Sequence, residues 1–246
     1  MPVLLVIPAR VASTRLPSKP LRLLGGAPLV ARVVERAQQV PGIDRLVVAT
    51  DSAVVAGALE ATQAEVAMTG DCASGTDRVA EVAGRPEFAG YDVVINFQGD
   101  EPFLPVAAVT GALRRVAAGD ALGTAAAPLD PSLRDDPARV KVVCDAAGRA
   151  LYFSRSPIPY LRDASDASWA RWWQHLGVYA YRRDALLRLT GLPPSPLERV
   201  ERLEQLRALE AGMRIDVELI DAEPLGVDTP ADLEKARRIL AGKPHA

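Results

Sequence analysis

The chain has 246 residues, of which 49% are apolar and 24% charged, and its net charge is −2. That is enough chain for one large α/β domain or two small ones, and it can bury a sizeable core. The near-neutral balance gives no support for nucleic-acid binding by bulk electrostatics. The lone pair of cysteines, Cys72 and Cys144, lie too far apart to suggest a disulfide framework or a zinc site.

The chain opens on an apolar run, residues 3–7, which reads as a buried parallel strand. Pro8 removes a backbone donor and ends the ladder. The loop from Pro8 and Ala9 to Leu21 carries Arg10, Arg15 and Lys19, with Ser13, Thr14 and Ser18 between them. Fixed cations among small hydroxyl residues suit an anion with several phosphates. The same residues would equally make a solvated basic loop. Position favours the ligand, because open α/β sheets bind at the carboxyl ends of their strands.

Gly25-Gly26 marks a turn, and no GxGxxG opens a helix there. Pro28 suits the first turn of a helix that runs to about Val40, with Leu29, Val33, Val34 and Ala37 on one face. Residues 45–50 read as a second strand, Asp51-Ser52 as a cap for a helix over 54–61, and residues 65–69 as a third strand. Ser74-Gly75-Thr76-Asp77-Arg78 reads as a helix N-cap with an acid in the first turn, which leaves backbone donors for a base edge or a phosphate. Residues 92–97 form a fourth strand, ending in Gln98-Gly99-Asp100-Glu101-Pro102. Gly99 lets the backbone approach a ligand, and Asp100 is expected in the same crevice as the Arg10 loop. A helix over 106–117 follows. Strand and helix alternate, which predicts a doubly wound sheet.

The rhythm changes near Leu122. Residues 124–128, 140–144 and 150–154 read as short strands, with a hairpin turn at Asp145-Ala146-Ala147-Gly148. Trp169, Trp172 and Trp173 cluster after a polar loop, which suits either an interface or a hydrophobic plug. A strand over 174–181 carries His175, then come a short helix over 184–189, a longer one over 197–211 ended by Gly212, and a last strand over 214–220. Asp228-Thr229-Pro230 opens the final helix, with Thr229 as N-cap. No domain break is expected over residues 1–246, and the middle strands read as an inserted subdomain at roughly 122–182. The chain starts directly on a strand, with no leader and no run of about 18 apolar residues. The expectation is a cytoplasmic protein with no membrane partner.

The run from Ile7 to Leu21 resembles the opening loop of the sugar-acid cytidylyltransferases, which activate an acidic sugar with CTP. Further matches follow in order: Ser74 to Arg78, Asn96 to Pro102, Tyr152 to Arg155, His175 to Tyr179, Leu203 to Arg207 and Gly226 to Pro230. Each is weak alone, and together they span the chain. The resemblance implies a mostly parallel mixed sheet of the nucleotide-diphospho-sugar transferase type with a small β-rich dimerisation subdomain. It implies CTP and the eight-carbon acid 3-deoxy-manno-octulosonate (KDO) as substrates, in lipopolysaccharide biosynthesis, and a homodimer. The alternatives are 8-amino-KDO or sialic acid as acceptor, or a non-catalytic sugar-nucleotide-binding protein on the same fold.

Nucleotidyl transfer must hold a triphosphate, offset its charge and place the attacking hydroxyl. The absence of a Walker A pattern rules out a P-loop. By resemblance, Arg10 and Lys19 face the nucleotide phosphates, Pro8, Ala9, Ser13, Ser74, Gln98 and Asp100 complete the nucleotide site, and Arg15 lies between nucleotide and sugar. Asp100 and Asp228 are the implied magnesium ligands; from the residues alone, Asp228 is also an ordinary helix-entry residue. Arg155, Arg162, His175, Tyr179, Glu204 and Gln205, with Gln98 shared, suit a carboxylate and many hydroxyls. A lone histidine is more often structural, but His245 is the only other one and lies in the tail.

Overall fold

The computed structural model describes residues 1–12, 16–222 and 225–242. It divides into two compact units, Met1–Val106 with Pro224–Ala246, and Ala107–Glu223.

The first unit begins with strand β1 (Val3–Pro8), whose residues Val3 to Ile7 are buried. A two-strand hairpin follows, β2 (Leu23–Leu24) and β3 (Ala27–Pro28). Gly25 and Gly26 turn it at φ 57° and 81°, left-handed values that glycine adopts without strain. Then come helix α1 (Leu29–Ala37), β4 (Arg45–Thr50), the short helix α2 (Ala53–Gly57), β5 (Glu65–Met68), α3 (Gly75–Ala83) and β6 (Val93–Asn96). Ser52 caps α2 and Ser74 caps α3, each accepting from a backbone N–H three residues on. The helix expected over 54–61 is cut to one turn because it re-forms as a 3-10 turn at Glu60–Thr62.

The four strands run parallel in the order β6-β1-β4-β5. The chain builds outward from β1 on one side, then returns to pair β6 on the other. The strand order therefore reverses between β1 and β6, and ligands in such sheets bind at the carboxyl ends flanking that reversal. Helix α3 packs across β1, β4 and β6. The unit is completed by the closing helix Pro230–Leu240, with a capping box between Thr229 and Asp232.

The second unit contains α4 (from Val106 to Ala117), β7 (Leu122–Pro128), β8 (Lys141–Cys144), β9 (Ala150–Ser154), β10 (Trp173–Arg182), α5 (Arg183–Thr190), α6 (Pro196–Glu201), α7 (Gln205–Glu210) and β11 (Ile215–Leu219). Strand β7 pairs antiparallel with β10 and parallel with β11, and the β8–β9 hairpin extends from β10. Its turn is the expected one: Asp145 Oδ1 accepts from the N–H groups of Ala147 and Arg149, both at 2.8 Å. The mostly parallel mixed α/β architecture expected from the alternation is thus present.

One element departs from expectation. The helix read over 197–211 is broken into α6 and α7 by Arg202, at φ 55°. The break is stabilised from β9's end: Arg155 Nε donates to the Glu201 carbonyl at 2.8 Å and Nη2 to that of Arg202 at 3.3 Å. Those bonds replace helical ladder bonds and let Leu203 turn inward, where it is buried.

Candidate active site

Strands β1 and β6 lie side by side, with Val6 opposite Asn96, so their ends share one rim. Gly99 brings the loop after β6 onto that rim. A Cβ there would stand 2.5 Å from the Pro8 carbonyl oxygen, a distance only glycine avoids. The N-terminus of α3 reaches the same place, since a Cβ on Gly75 would meet the Pro8 ring at 3.5 Å and Gln98 Oε1 at 3.9 Å. Pro8, Ala9, Ser74 and Gln98 are therefore neighbours around one spot. The Ser74 hydroxyl is engaged locally: it accepts from the Asp77 N–H at 3.1 Å and donates to the Asp77 carboxylate at 3.0 Å. Gln98 Nε2 donates to Asn96 Oδ1 at 3.3 Å. Arg10 is exposed. Ser13 and Arg15 lie outside the described residues.

Lys19 is the centre of this unit's polar cluster. Ser18 adopts a left-handed conformation, φ 54°, unusual for a residue with a Cβ, and starts the tight turn Lys19–Leu21. The turn aims the Lys19 ammonium at two carboxylates. Nζ lies 2.7 Å from Asp100 Oδ2 and 2.7 Å from Asp228 Oδ1. Burial works to lower the Lys19 pKa, but the charge and hydrogen bond of Asp100, then those of Asp228, outweigh it and raise the pKa above the ordinary value.

The two aspartates meet because their backbones do. The Val227 N–H donates to the Asp100 carbonyl at 2.9 Å. The Asp232 carboxylate accepts from the N–H groups of Asp228 at 3.1 Å and Thr229 at 2.8 Å, which fixes the helix entry. Gly226 admits Glu101, whose Oε1 would stand 2.8 Å from a Cβ at that position. Beneath lies an apolar cluster of Leu16, Leu24, Leu29, Leu225, Val227, Leu233 and Ala236, with Phe103 packed against it. Leu16, Phe103 and Val227 each lie within three positions of Lys19, Asp100 or Asp228, so the cluster anchors all three segments.

Two hard oxygen donors that converge on one positive centre match what Mg2+ takes from proteins, one or two carboxylates with the rest from phosphates and water. Among the described residues no group of three or more His, Cys, Asp or Glu could hold a metal. The Asp100–Asp228 pair fits the oxygen donor set that a magnesium ion takes.

In the second unit two of the expected acceptor residues, His175 and Tyr179, join an aromatic cluster with Phe153 and Tyr181. His175 stacks edge-on to Phe153 at 5.1 Å and lies 5.2 Å from the Tyr179 ring, which stacks on Tyr181 at 5.6 Å. Burial lowers the His175 pKa to about 3, so the imidazole is neutral. Thr124 Oγ1 donates to the Val178 carbonyl at 2.6 Å, so its one proton is used there. His175 Nε2, 3.0 Å from the same hydroxyl, must then be the protonated ring nitrogen. Among the described residues, the buried Tyr179 hydroxyl has no hydrogen-bond partner. Glu204 precedes α7 and Gln205 begins it. Arg162 is exposed on the loop between β9 and β10.

Arg155 is committed to the protein. Besides its bonds at the helix break, Nη1 donates to the Pro137 carbonyl at 2.9 Å, and its backbone N–H donates to the Glu201 carboxylate at 3.0 Å. Two further buried cations take no site role from the motifs, Lys141 in the second unit and Arg78 in the first. Lys141 is fully buried, its ammonium donating to the carbonyls of Asp136 and Arg155. Arg78 is 2% exposed, pairs with Asp51 at 2.8 Å and also donates to Thr69, tying α3 to the ends of β4 and β5. A cation inside an apolar stretch was the available signal for Lys141, whereas Arg78 follows an acid in a polar helix start. The tryptophans divide: Trp172 is a plug, its Nε1 donating to the Pro159 carbonyl at 3.1 Å under the Arg134 guanidinium, whereas Trp169 is 85% exposed.

A reversal point flanked by a basic turn, a capped helix N-terminus and a carboxylate pair defines a nucleotide-handling α/β protein. The cytidylyltransferase family profile matches residues 4–215, and the chain belongs to that family. Its relatives include the 3-deoxy-manno-octulosonate cytidylyltransferases of Gemmatimonas aurantiaca, 53% identical over 96% of this chain and 93% of that protein, and of an Anaeromyxobacter species, 46% identical over 99% and 98%. A solved CMP:2-keto-3-deoxy-manno-octonic acid synthetase complexed with CTP is 42% identical, with a TM-score of 0.91 over 98% of this chain and 99% of that one. The 4-diphosphocytidyl-2C-methyl-D-erythritol synthase of Anaerococcus prevotii, 11% identical with a TM-score of 0.65, shares the fold.

Proposed function

We propose that this protein transfers the cytidylyl group of CTP to 3-deoxy-manno-octulosonate, releasing pyrophosphate and supplying an activated sugar for lipopolysaccharide assembly. The observation that carries the reading is the match, over nearly the whole of both chains, to a synthetase complexed with CTP. The relatives named for the same sugar acid support the choice of acceptor.

The chain's own residues divide the work. Arg10 and Lys19 take the phosphates, with Ser13 and Arg15 in the same loop. The free N–H groups at the start of α3, beside Ser74, Pro8, Ala9 and Gln98, suit the nucleotide's base or phosphates. Asp100 and Asp228 would hold a magnesium ion. When bound, that ion supplies positive charge against the phosphates and acidifies a coordinated hydroxyl. The acceptor falls to His175, Tyr179, Glu204 and Gln205, with Arg162. The unpartnered Tyr179 hydroxyl supports this, because a buried phenol without a partner is costly until a ligand or water bonds it. Neutral His175 binds rather than abstracts a proton, since its basicity is suppressed. Arg155 acts by holding the α6–α7 break beside Glu204.

The same reading makes the protein a cytoplasmic homodimer. Trp169 and Tyr160, 85% and 84% exposed, support a contact through the middle of the second unit. Among the described residues no helix is long and apolar enough to cross a membrane. The decisive assay is pyrophosphate release from CTP, UTP, ATP and GTP with a panel of sugar acids. Release with CTP and KDO alone is the expected result. Equal use of ATP or GTP would overturn the cytidine assignment.

A further inference from the structure

The polar centre of the first unit holds a cation already. Lys19 Nζ makes 2.7 Å contacts with one oxygen of each aspartate, and its side chain is only 12% exposed. We propose that the Lys19 ammonium is an internal stand-in for the metal ion: it occupies the carboxylate pair in the nucleotide-free protein and moves to the phosphates when nucleotide arrives. This rests on the assignment of Asp100 and Asp228 to magnesium.

The argument is one of charge and support. Two carboxylates held this close repel each other unless a positive group lies between them. Lysine suits a temporary occupant, being a point charge with rotatable donors on a flexible stem, where arginine would lock both partners by its planar fork. The aspartates do not depend on Lys19 for position. Val227 bonds the Asp100 backbone, Asp232 bonds the Asp228 backbone, and the apolar cluster lies beneath both. The pair therefore persists when the ammonium leaves. A triphosphate presents more negative charge than two carboxylates, so it can draw the lysine away and expose them to a divalent cation. Nucleotide and metal then favour each other's binding, and the coupling is reciprocal. Metal without nucleotide must compete with a tethered cation.

The test is Mn2+ binding to nucleotide-free protein, followed by electron paramagnetic resonance. The proteins are wild type, Lys19→Met, Arg22→Met, and Lys19→Met combined with Asp228→Asn. Arg22 is a neighbouring exposed cation whose Nε bonds the Pro17 carbonyl, not the aspartates. Lys19→Met should bind Mn2+ about tenfold tighter than wild type or better. Arg22→Met should match wild type, and Asp228→Asn should erase the gain. Thermal unfolding checks each variant, and Lys19→Gln replaces Lys19→Met if the latter does not fold. Equal affinity of wild type and the Lys19 variant overturns the proposal, as does an equal gain in Arg22→Met. The same titrations are repeated with a non-hydrolysable CTP analogue, and if no protein then binds Mn2+ more tightly than the analogue alone does, the metal assignment falls and this proposal with it.

Discussion

The backbone N–H of Val227 donates to the carbonyl of Asp100 at 2.9 Å, across 127 positions of sequence, so two carboxylates belong to one site. The loop after β6 carries Asp100 and is itself seated by Gly99 against Pro8, where a Cβ would stand 2.5 Å from the carbonyl oxygen. Backbone cannot retreat from such a contact as a flexible side chain can. Gly99→Ala should therefore shift the loop, lower stability by about 1–3 kcal/mol and cut turnover sharply. Urea unfolding and steady-state kinetics check both effects. An alanine variant with normal turnover would mean that the loop position is not critical to Asp100.

Asp100→Asn and Asp228→Asn should each lower turnover by roughly two to three orders of magnitude while the protein stays folded. Each keeps side-chain size but removes charge from a hard-cation site. Because both act as one unit, the double variant should be little worse than either single one. A chelator should abolish wild-type activity and magnesium restore it. Near-normal turnover with ordinary magnesium dependence in Asp228→Asn would return Asp228 to helix entry alone.

Arg155→Ala should act first on stability. The guanidinium satisfies carbonyls at Glu201, Arg202 and Pro137 that lack helical partners. Charge-assisted bonds of this kind contribute about 1.5–3 kcal/mol each, and their loss overlaps, so a drop of roughly 2–4 kcal/mol is expected. Arg155→Lys should recover little, lacking the planar fork. A rise in the KM for sugar acid with unchanged unfolding midpoint would show instead that Arg155 meets the ligand.

The strands and most helices were legible because local signals agreed with packing: apolar runs for β1, β4 and β6, and caps at Ser52, Ser74 and Thr229. The break at Arg202 was not, since the bonds that stabilise it come from Arg155, 47 positions earlier. Lys19 was recognisable as a phosphate-binding cation, but its partners were not. Asp228 is 209 positions away, and no local pattern encodes that pairing. Ser18 likewise gave no warning of its left-handed backbone, which its neighbours impose. The motifs of Arg155 and His175 suit ligand binding, while much of each side chain is already engaged within the protein.

His175 should give the folded state a measurable dependence on acid. Its folded pKa, about 3, lies below the unfolded value of about 6.5. Above pH of about 6.5 both states are neutral at this residue, and the stability it permits is fully present. As pH falls below that value, the unfolded chain binds a proton that the folded one refuses, so stability declines toward the folded pKa. The slope approaches about 1.4 kcal/mol per pH unit. The cause is geometric: the ring lies between Phe153 and Tyr179, and Nε2 donates to a Thr124 hydroxyl that itself donates to the Val178 carbonyl. His175→Gln keeps a donor and cannot titrate. Between pH 6.5 and 5 the wild type should lose about 1.6 kcal/mol more than this variant in paired urea titrations. Comparing the two removes the contribution of every other titrating group. Superimposable pH profiles would mean that His175 takes up its proton in the folded state, and the neutral, ligand-binding role assigned to it would have to be given up.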